Sequence, residues 1–283
     1  VFEAVWGLGL WIAVSALAIA GALPYWLACL ANGWIAYLMY MPLHEATHGN
    51  VSGTRSELRF ANDLAGHLSA PILWFSFSAH RLSHMRHHAY TNDPERDPDF
   101  FIAGPLAQLP FKTLLLAWAQ TIVPLLDYAP RVVPHLPGLL GEIAVLSRER
   151  KTPEETRFDR RFIVGCWAVF AALSLSGHFL EALVLWWLPG RLGMGLMVFF
   201  FAWLPHYPHQ ERGRYRDTRV TLFPGSRLLI RGHDRHLLHH MFPRVPHHRL
   251  PALFGELRPE LESHGARIEG PLAGPDAPSI GLR

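Results

Sequence analysis

Three histidine clusters carry the chemistry this sequence can offer: His44-Glu45-Ala46-Thr47-His48, His84-Met85-Arg86-His87-His88 and His236-Leu237-Leu238-His239-His240. On a helix, residues three and four apart share one face, so each cluster presents two or three imidazoles in one direction. One ion cannot use eight imidazoles, since zinc is satisfied by four ligands, but two metals can. Imidazole serves iron, zinc, copper and nickel, so the ligand type alone does not choose the metal. The first cluster also fits HExxH, the zinc-protease signature in which Glu45 would act as general base. That reading needs one further zinc ligand and a water, and it leaves the other two clusters without a role.

The composition indicates which elements must hold these clusters. Of 283 residues, 50% are hydrophobic and 17% charged, with a mean hydropathy of +0.12. A soluble domain carries about a quarter charged residues, so the deficit points to a membrane. The net charge of +3 is a weak signal for any polyanionic partner, and no nucleic-acid role is expected. Cys29 and Cys166 lie in separate apolar runs and form no CxxC pair, which excludes a disulfide framework and a thiolate metal site. The chain opens without a basic n-region, so no cleavable signal peptide is expected.

A spanning helix needs about 20 mostly apolar residues. Val5–Leu23 qualifies, Pro24 breaks it, and Tyr25–Pro42 forms a second span. A third is expected from Phe162 to Gly177. After a connection containing Trp186, Trp187 and Pro189, a fourth is expected from about Gly193 to Leu204. The apolar runs at Ala70–Phe77 and Phe111–Leu126 are read as interfacial or re-entrant pieces. These spans hold almost no ionisable residues, which argues against a transporter with a histidine-lined path.

Residues 1–42 contain no Lys or Arg, residues 43–161 contain 13 and residues 205–283 contain 12. Four spans place both basic segments on one side, which the positive-inside tendency makes cytoplasmic. Both termini and all three histidine clusters are then cytoplasmic. The expected fold is an all-α integral membrane protein: one domain over residues 1–283, about four transmembrane helices and a cytoplasmic helical cap.

From about Tyr40 to Pro251 the chain resembles the membrane fatty acid desaturase and hydroxylase superfamily, whose members carry three histidine boxes. The first box has the HExxH-Gly form, with Gly49, and Asn62-Asp63-Leu64-Ala65-Gly66 is similar to the Asn-x-x-x-Gly stretch that often follows. The second continues as Ala89-Tyr90-Thr91-Asn92-Asp93-Pro94 and then Asp97-Pro98-Asp99. The third continues as Met241-Phe242-Pro243-Arg244-Val245-Pro246 and then Arg249-Leu250-Pro251. The resemblance implies two irons held by His44, His48, His84, His87, His88, His236, His239 and His240. It also implies a further ligand just before the third box. His206, in Trp203-Leu204-Pro205-His206, matches that position, and His209 is its competitor. The remaining histidines, at 67, 80, 135, 178, 233, 247, 248 and 264, are assigned no ligand role, although His80 and His233 lie close to boxes.

Neutral imidazole ligands need fixed tautomers and compensating charge, which neighbouring carboxylates supply through the other ring nitrogen. Glu45, Asn92, Asp93, Asp97, Asp99 and Asp234 sit beside boxes and are candidates, while Asp-Pro pairs also simply make turns and caps. The resemblance implies an O2-dependent oxidation of a C–H bond in a long lipophilic molecule. The segments around Leu204-Pro205-His206 and Phe242–Pro251 look most like carotenoid ketolases and hydroxylases, so carotenoid ring hydroxylation or ketolation is the expected reaction. Fatty acyl desaturation or lipid hydroxylation is the alternative. No iron–sulfur, dinucleotide or haem signature is present, so electrons must come from a ferredoxin, rubredoxin or cytochrome. Arg212, Arg214, Arg216 and Arg219 form either its docking face or a contact with anionic membrane lipid.

Overall fold

The first helix, α1 (Phe2–Ile19), is apolar on every side, and Phe2, Trp6, Ile12 and Ile19 stay exposed along it. A helix without a polar face suits lipid rather than water. Gly21, at φ +74°, turns the chain, and Pro24 precedes α2 (Tyr25–Thr47). The computed structural model describes residues 1–274 and 277–281. These fall into two compact units, one of Val1–His84 with Thr113–Met197 and one of Met85–Lys112 with Val198–Arg283.

In the first unit α2 does not stop at Pro42. It runs on to Thr47 and so lifts His44 onto the last helical turn. Asn32, buried in α2, donates to Ser15 Oγ (3.0 Å) and to the Leu185 carbonyl (3.1 Å). Such bonds between helices in an apolar medium each contribute about 1 kcal/mol. A Cβ on Gly193 would lie 2.6 Å from Ala36 Cβ and 2.7 Å from the Tyr37 nitrogen, so only glycine permits this approach to α2.

Helix α3 (Phe60–Leu73) ends on Trp74, whose backbone is left-handed at φ 57°. Two side chains hold this end: Arg191 Nη2 donates to the Leu73 carbonyl at 2.7 Å and Trp186 Nε1 to the Pro71 carbonyl at 2.8 Å. Trp74 is fully buried against Trp186, Trp167 and Phe170. The turn aims α4 (Phe77–Tyr90), which carries the whole second box. The Asn62-to-Gly66 stretch has a structural role here. Asn62 Oδ1 accepts from the Val51 and Ser52 nitrogens and so fixes the loop after the first box, while Gly66 leaves room for the Phe77 ring. Helices α5 (Leu109–Leu126), α6 (Gly138–Glu149) and α7 (Pro153–Leu175) follow, the last opened by a capping box of Thr152 and Glu155.

The spans differ from expectation in three respects. Phe179–Trp203 is one helical stretch of 25 residues, so the connection expected at 178–192 is itself helical. Pro189 does not break it: the turn before Pro189, at Ala182–Trp187, is a wider π turn that absorbs the lost hydrogen bond. Phe111–Leu126, read as an interfacial or re-entrant piece, belongs to Leu106–Leu126, 21 helical residues apolar enough to cross a membrane. Phe2–Ile19, Leu106–Leu126 and Phe179–Trp203 are the described helices that meet that criterion. Helices α2 and α7 have the length, but each carries a polar end, the first box in α2 and the charged opening of α7.

The second unit is not all helical. Strands β1 (Arg219–Thr221) and β2 (Arg267–Glu269) pair in parallel, Val220 opposite Ile268. They cover a core of Leu222, Leu237, Leu238, Leu250, Phe254 and Leu261. Burying each such side chain contributes about 1.5–3 kcal/mol. Leu237 and Leu238 point into this core, which turns His236, His239 and His240 of the same short helix (His236–Met241) away from it. Arg219, fully buried, pairs with Glu269 at 2.6 Å, and its Nε donates to the Leu204 carbonyl at 2.8 Å. That bond fixes the chain two residues before His206.

Candidate metal centre

The first unit gathers three imidazoles. His44 and His48 share the face at the end of α2, and α4 brings His84 to them. The ring centroids lie 4.6 Å (His44 to His84), 4.9 Å (His44 to His48) and 4.9 Å (His48 to His84) apart. One ring nitrogen of each lies within 4.8 Å of those of the others, and His48 Nε2 is 3.0 Å from His84 Nε2. Two ligands about 2.1 Å from one ion at right-angled to tetrahedral geometry stand roughly 3.0–3.4 Å apart, so these nitrogens have metal-ligand spacing. His80, assigned no ligand role from sequence, stacks on His84 at 5.2 Å and meets the edge of Tyr40.

The second unit gathers another three: His87 from α4, His206 after the Phe179–Trp203 helix and His240 from the third box, again with nitrogens within 4.8 Å. His236 Nε2 stands 3.1 Å from the Nε2 atoms of both His206 and His240. His88 Nε2 and His239 Nε2 are 3.0 Å apart. Every ligand candidate from the three boxes thus has an imidazole neighbour within its own unit. Of the two competing histidines, His206 joins this set. His209 stacks beside His206 at 6.1 Å, buried, and belongs to none of the described groups with metal-ligand spacing.

The neighbouring polar residues divide clearly. Asp97 Oδ1 meets His87 Nδ1 at 2.8 Å, and the Asn92 and Asp99 nitrogens donate to the same carboxylate. Asp97 therefore holds the Nδ1 proton and leaves Nε2 to face a cation. Asp99 Oδ2 is more distant, 3.8 Å from that nitrogen, and Glu45 Oε1 stands 4.0 Å from His44 Nδ1. The other three serve the backbone or surface instead. Asn92 Nδ2 donates to the Glu211 and Asp217 carbonyls, Asp93 caps a turn and pairs with Arg96 and Arg212, and Asp234 accepts from Ser226 and Arg235. Sequence reasoning missed Thr91. Its hydroxyl donates to the His87 carbonyl at 2.8 Å and lies 3.2 Å from His240 Nδ1, where it accepts that ring's proton. The available signal was its place four residues after His87 on the same helix.

Electrostatics separates the second set into two kinds of imidazole. Burial, and then the positive charge of neighbouring rings, holds His206 and His240 well below the usual histidine range. Burial also pulls His87 down, but the charge and hydrogen bond of Asp97 outweigh it and raise His87 to about 9. Two neutral rings and one ring with a carboxylate behind it suit a divalent cation, which takes the place of a proton on His87. The donor set, the spacing and the carboxylate therefore fit a metal.

The sequence model of the fatty acid desaturase family matches residues 5–270. The chain belongs to the fatty acid desaturase family. A probable fatty acid desaturase of Sorghum bicolor is 25% identical over 255 residues, covering 84% of this chain and 63% of its own length. The chloroplastic sn-2 acyl-lipid omega-3 desaturase (ferredoxin) of Arabidopsis thaliana is 25% identical over 257 residues, 84% of this chain and 55% of that one. The endoplasmic-reticulum acyl-lipid omega-3 desaturase (cytochrome b5) of the same plant is 25% identical over 274 residues, 84% of this chain and 66% of that one. This desaturase-family chain spans between about half and two thirds of the length of these relatives.

Proposed function

We propose that this chain is a membrane-bound diiron fatty acyl desaturase. The observation that carries the reading is the pair of three-imidazole sets, His44/His48/His84 and His87/His206/His240, in a member of the desaturase family. Helix α4 supplies a residue to each set, one helical turn apart, and His88, His236 and His239 complete the nine proposed ligands. The relatives favour an acyl chain over the carotenoid ring expected from the sequence, because the two from Arabidopsis thaliana are acyl-lipid omega-3 desaturases. Family membership also favours oxidation over the HExxH protease reading.

Bound iron would supply activation of O2 for removing two hydrogens from adjacent CH2 groups. The chain's own residues prepare the site. Asp97 fixes the His87 tautomer, Thr91 accepts the Nδ1 proton of His240, and Arg219 anchors the segment that presents His206. Apolar pockets discriminate weakly between similar hydrocarbons, so position along the chain sets the product. Expression in a host that makes β-carotene, with fatty acids and pigments both profiled by mass spectrometry, is expected to give acyl chains lighter by the mass of a pair of hydrogens. Oxygenated pigment with unchanged acyl chains would replace this reading with the carotenoid one.

Both termini and the boxes are proposed to be cytoplasmic, as the arginine distribution favours. Were Leu106–Leu126 to cross, the basic residues at 43–105 and at 127–161 would fall on opposite sides, so we read this helix as not crossing. Reporter fusions near residues 100, 140 and 270 should therefore all read cytoplasmic. Outward signals at 140 and 270, with 100 still cytoplasmic, would make α5 a fifth span.

A further inference from the structure

The arginines that the sequence offers as either a docking face or a contact with anionic lipid have partners within the fold. Arg212 pairs with Asp93 at 3.1 Å and Arg216 with Glu211 at 2.5 Å. Arg219 is buried on Glu269, and Arg214 lies 5.3 Å over the Phe242 ring. The segment from Ser226 to Leu250 differs. It holds five arginines against the single carboxylate of Asp234, a net +4 in a chain whose total is +3. Arg227, Arg244 and Arg249 are exposed and meet no carboxylate among the described residues.

The fold gathers this charge. A Cβ on Gly232 would stand 2.8 Å from the His247 carbonyl oxygen, so the turn at Arg231–Arg235 lies directly against His247–Arg249. Arg227 and Arg235 line one cleft, and Arg235 also lies 5.6 Å over Phe254 of the helix that Arg249 opens. From this surface a ladder of rings leads inward. Half-buried His247 stacks on buried His233 at 6.4 Å, and His233 packs on His239 at 4.6 Å. His239 in turn reaches His88 at 3.0 Å.

We propose that the surface of Arg227, Arg244 and Arg249 docks an acidic one-electron carrier protein, with His247, His233 and His239 as the path inward. The proposal rests on the desaturase reading. Each desaturation reduces one O2 to two waters with four electrons and four protons. Two electrons and two hydrogens' worth of protons come from the acyl chain, whose adjacent C–H bonds break to form the double bond. The other two electrons come from two reduced carriers, each oxidised by one electron, and two protons come from water. A basic face could instead meet anionic headgroups, but a lipid contact gives no reason for rings that run from that face to a ligand candidate. Charge complementarity of this kind sets encounter rate and salt dependence.

The test uses the full chain, iron-loaded, in neutral phosphatidylcholine nanodiscs, with purified [2Fe–2S] ferredoxin, an acidic carrier, as the probe. The R227E/R244E/R249E variant is expected to lose about 30-fold or more in ferredoxin affinity at low salt, with its salt dependence flattened and its iron content unchanged. Arg249→Glu alone should lose about 3–10-fold, which guards against misfolding of the triple variant. Ferredoxin affinity within about twofold of the parent in both variants overturns the proposal, including when the substitutions only alter enrichment of phosphatidylglycerol around the protein. Ferredoxin binding through these arginines without acyl desaturation would keep the docking face and refute the desaturase reading. Acyl desaturation with affinity untouched by the substitutions would refute the docking face alone.

Discussion

His206→Ala protein is expected to insert and fold, to hold about half the parent's iron, and to lose acyl desaturation by well over about 100-fold. The scale follows from the ligands' neighbours: removing a group behind a ligand typically costs 10–100-fold, so loss of a ligand itself should exceed that. His206 joins a set with His87 and His240, its Nε2 stands 3.1 Å from His236 Nε2, and its segment is anchored through the Leu204 carbonyl. The fold around it should therefore survive the loss of the ring. His209→Ala is the matched control, because that ring is equally buried and lies beside His206 without joining either set. Iron analysis and lipid profiling of both variants settle the matter. Iron retained in His206→Ala and lost in His209→Ala would exchange their roles.

Most of the candidate centre was legible in the sequence because the box histidines sit on helices. The spacing i, i+3, i+4 fixes direction without knowledge of the rest of the fold, so the three clusters could be read as three faces of imidazole. What was not legible depends on contacts made across long sequence distances. Asp97 and Asp93 look alike beside the second box, yet one carboxylate meets His87 Nδ1 while the other caps a turn. Thr91 reads only as part of the run after the second box, and its value comes from His240, 149 residues away. The connection expected at 178–192 differs for a related reason. Trp186, Trp187 and Pro189 read as a connection, but a π turn and the close approach of Gly193 to α2 keep Phe179–Trp203 helical throughout. Arg212, Arg216 and Arg219 meet Asp93, Glu211 and Glu269, pairings that a count of charge along the sequence does not register.

Glu269→Ala is expected to destabilise the second unit by about 3–5 kcal/mol, the typical cost of leaving one member of a buried ion pair without its partner. Arg219 is fully buried, and its Nη1 meets Glu269 Oε2 at 2.6 Å. Arg267 donates to the other oxygen of Glu269, at 2.9 and 2.8 Å, so the carboxylate joins three guanidinium contacts at the strand pair. A guanidinium does not shed its charge at any ordinary pH, so the unpaired Arg219 has no inexpensive escape. The R219M/E269L variant separates this cost from the metal site. Replacing a buried pair with apolar side chains of similar volume is often neutral or stabilising, so the double variant should recover most of the melting temperature lost in Glu269→Ala. It should not recover iron. Arg219 Nε also holds the Leu204 carbonyl at 2.8 Å, and methionine cannot, so the segment presenting His206 loses its anchor in a well-folded protein. Thermal unfolding read alongside iron content tests both halves. Full iron in the double variant would show that β1 and β2 alone, without the arginine's bond to Leu204, position His206.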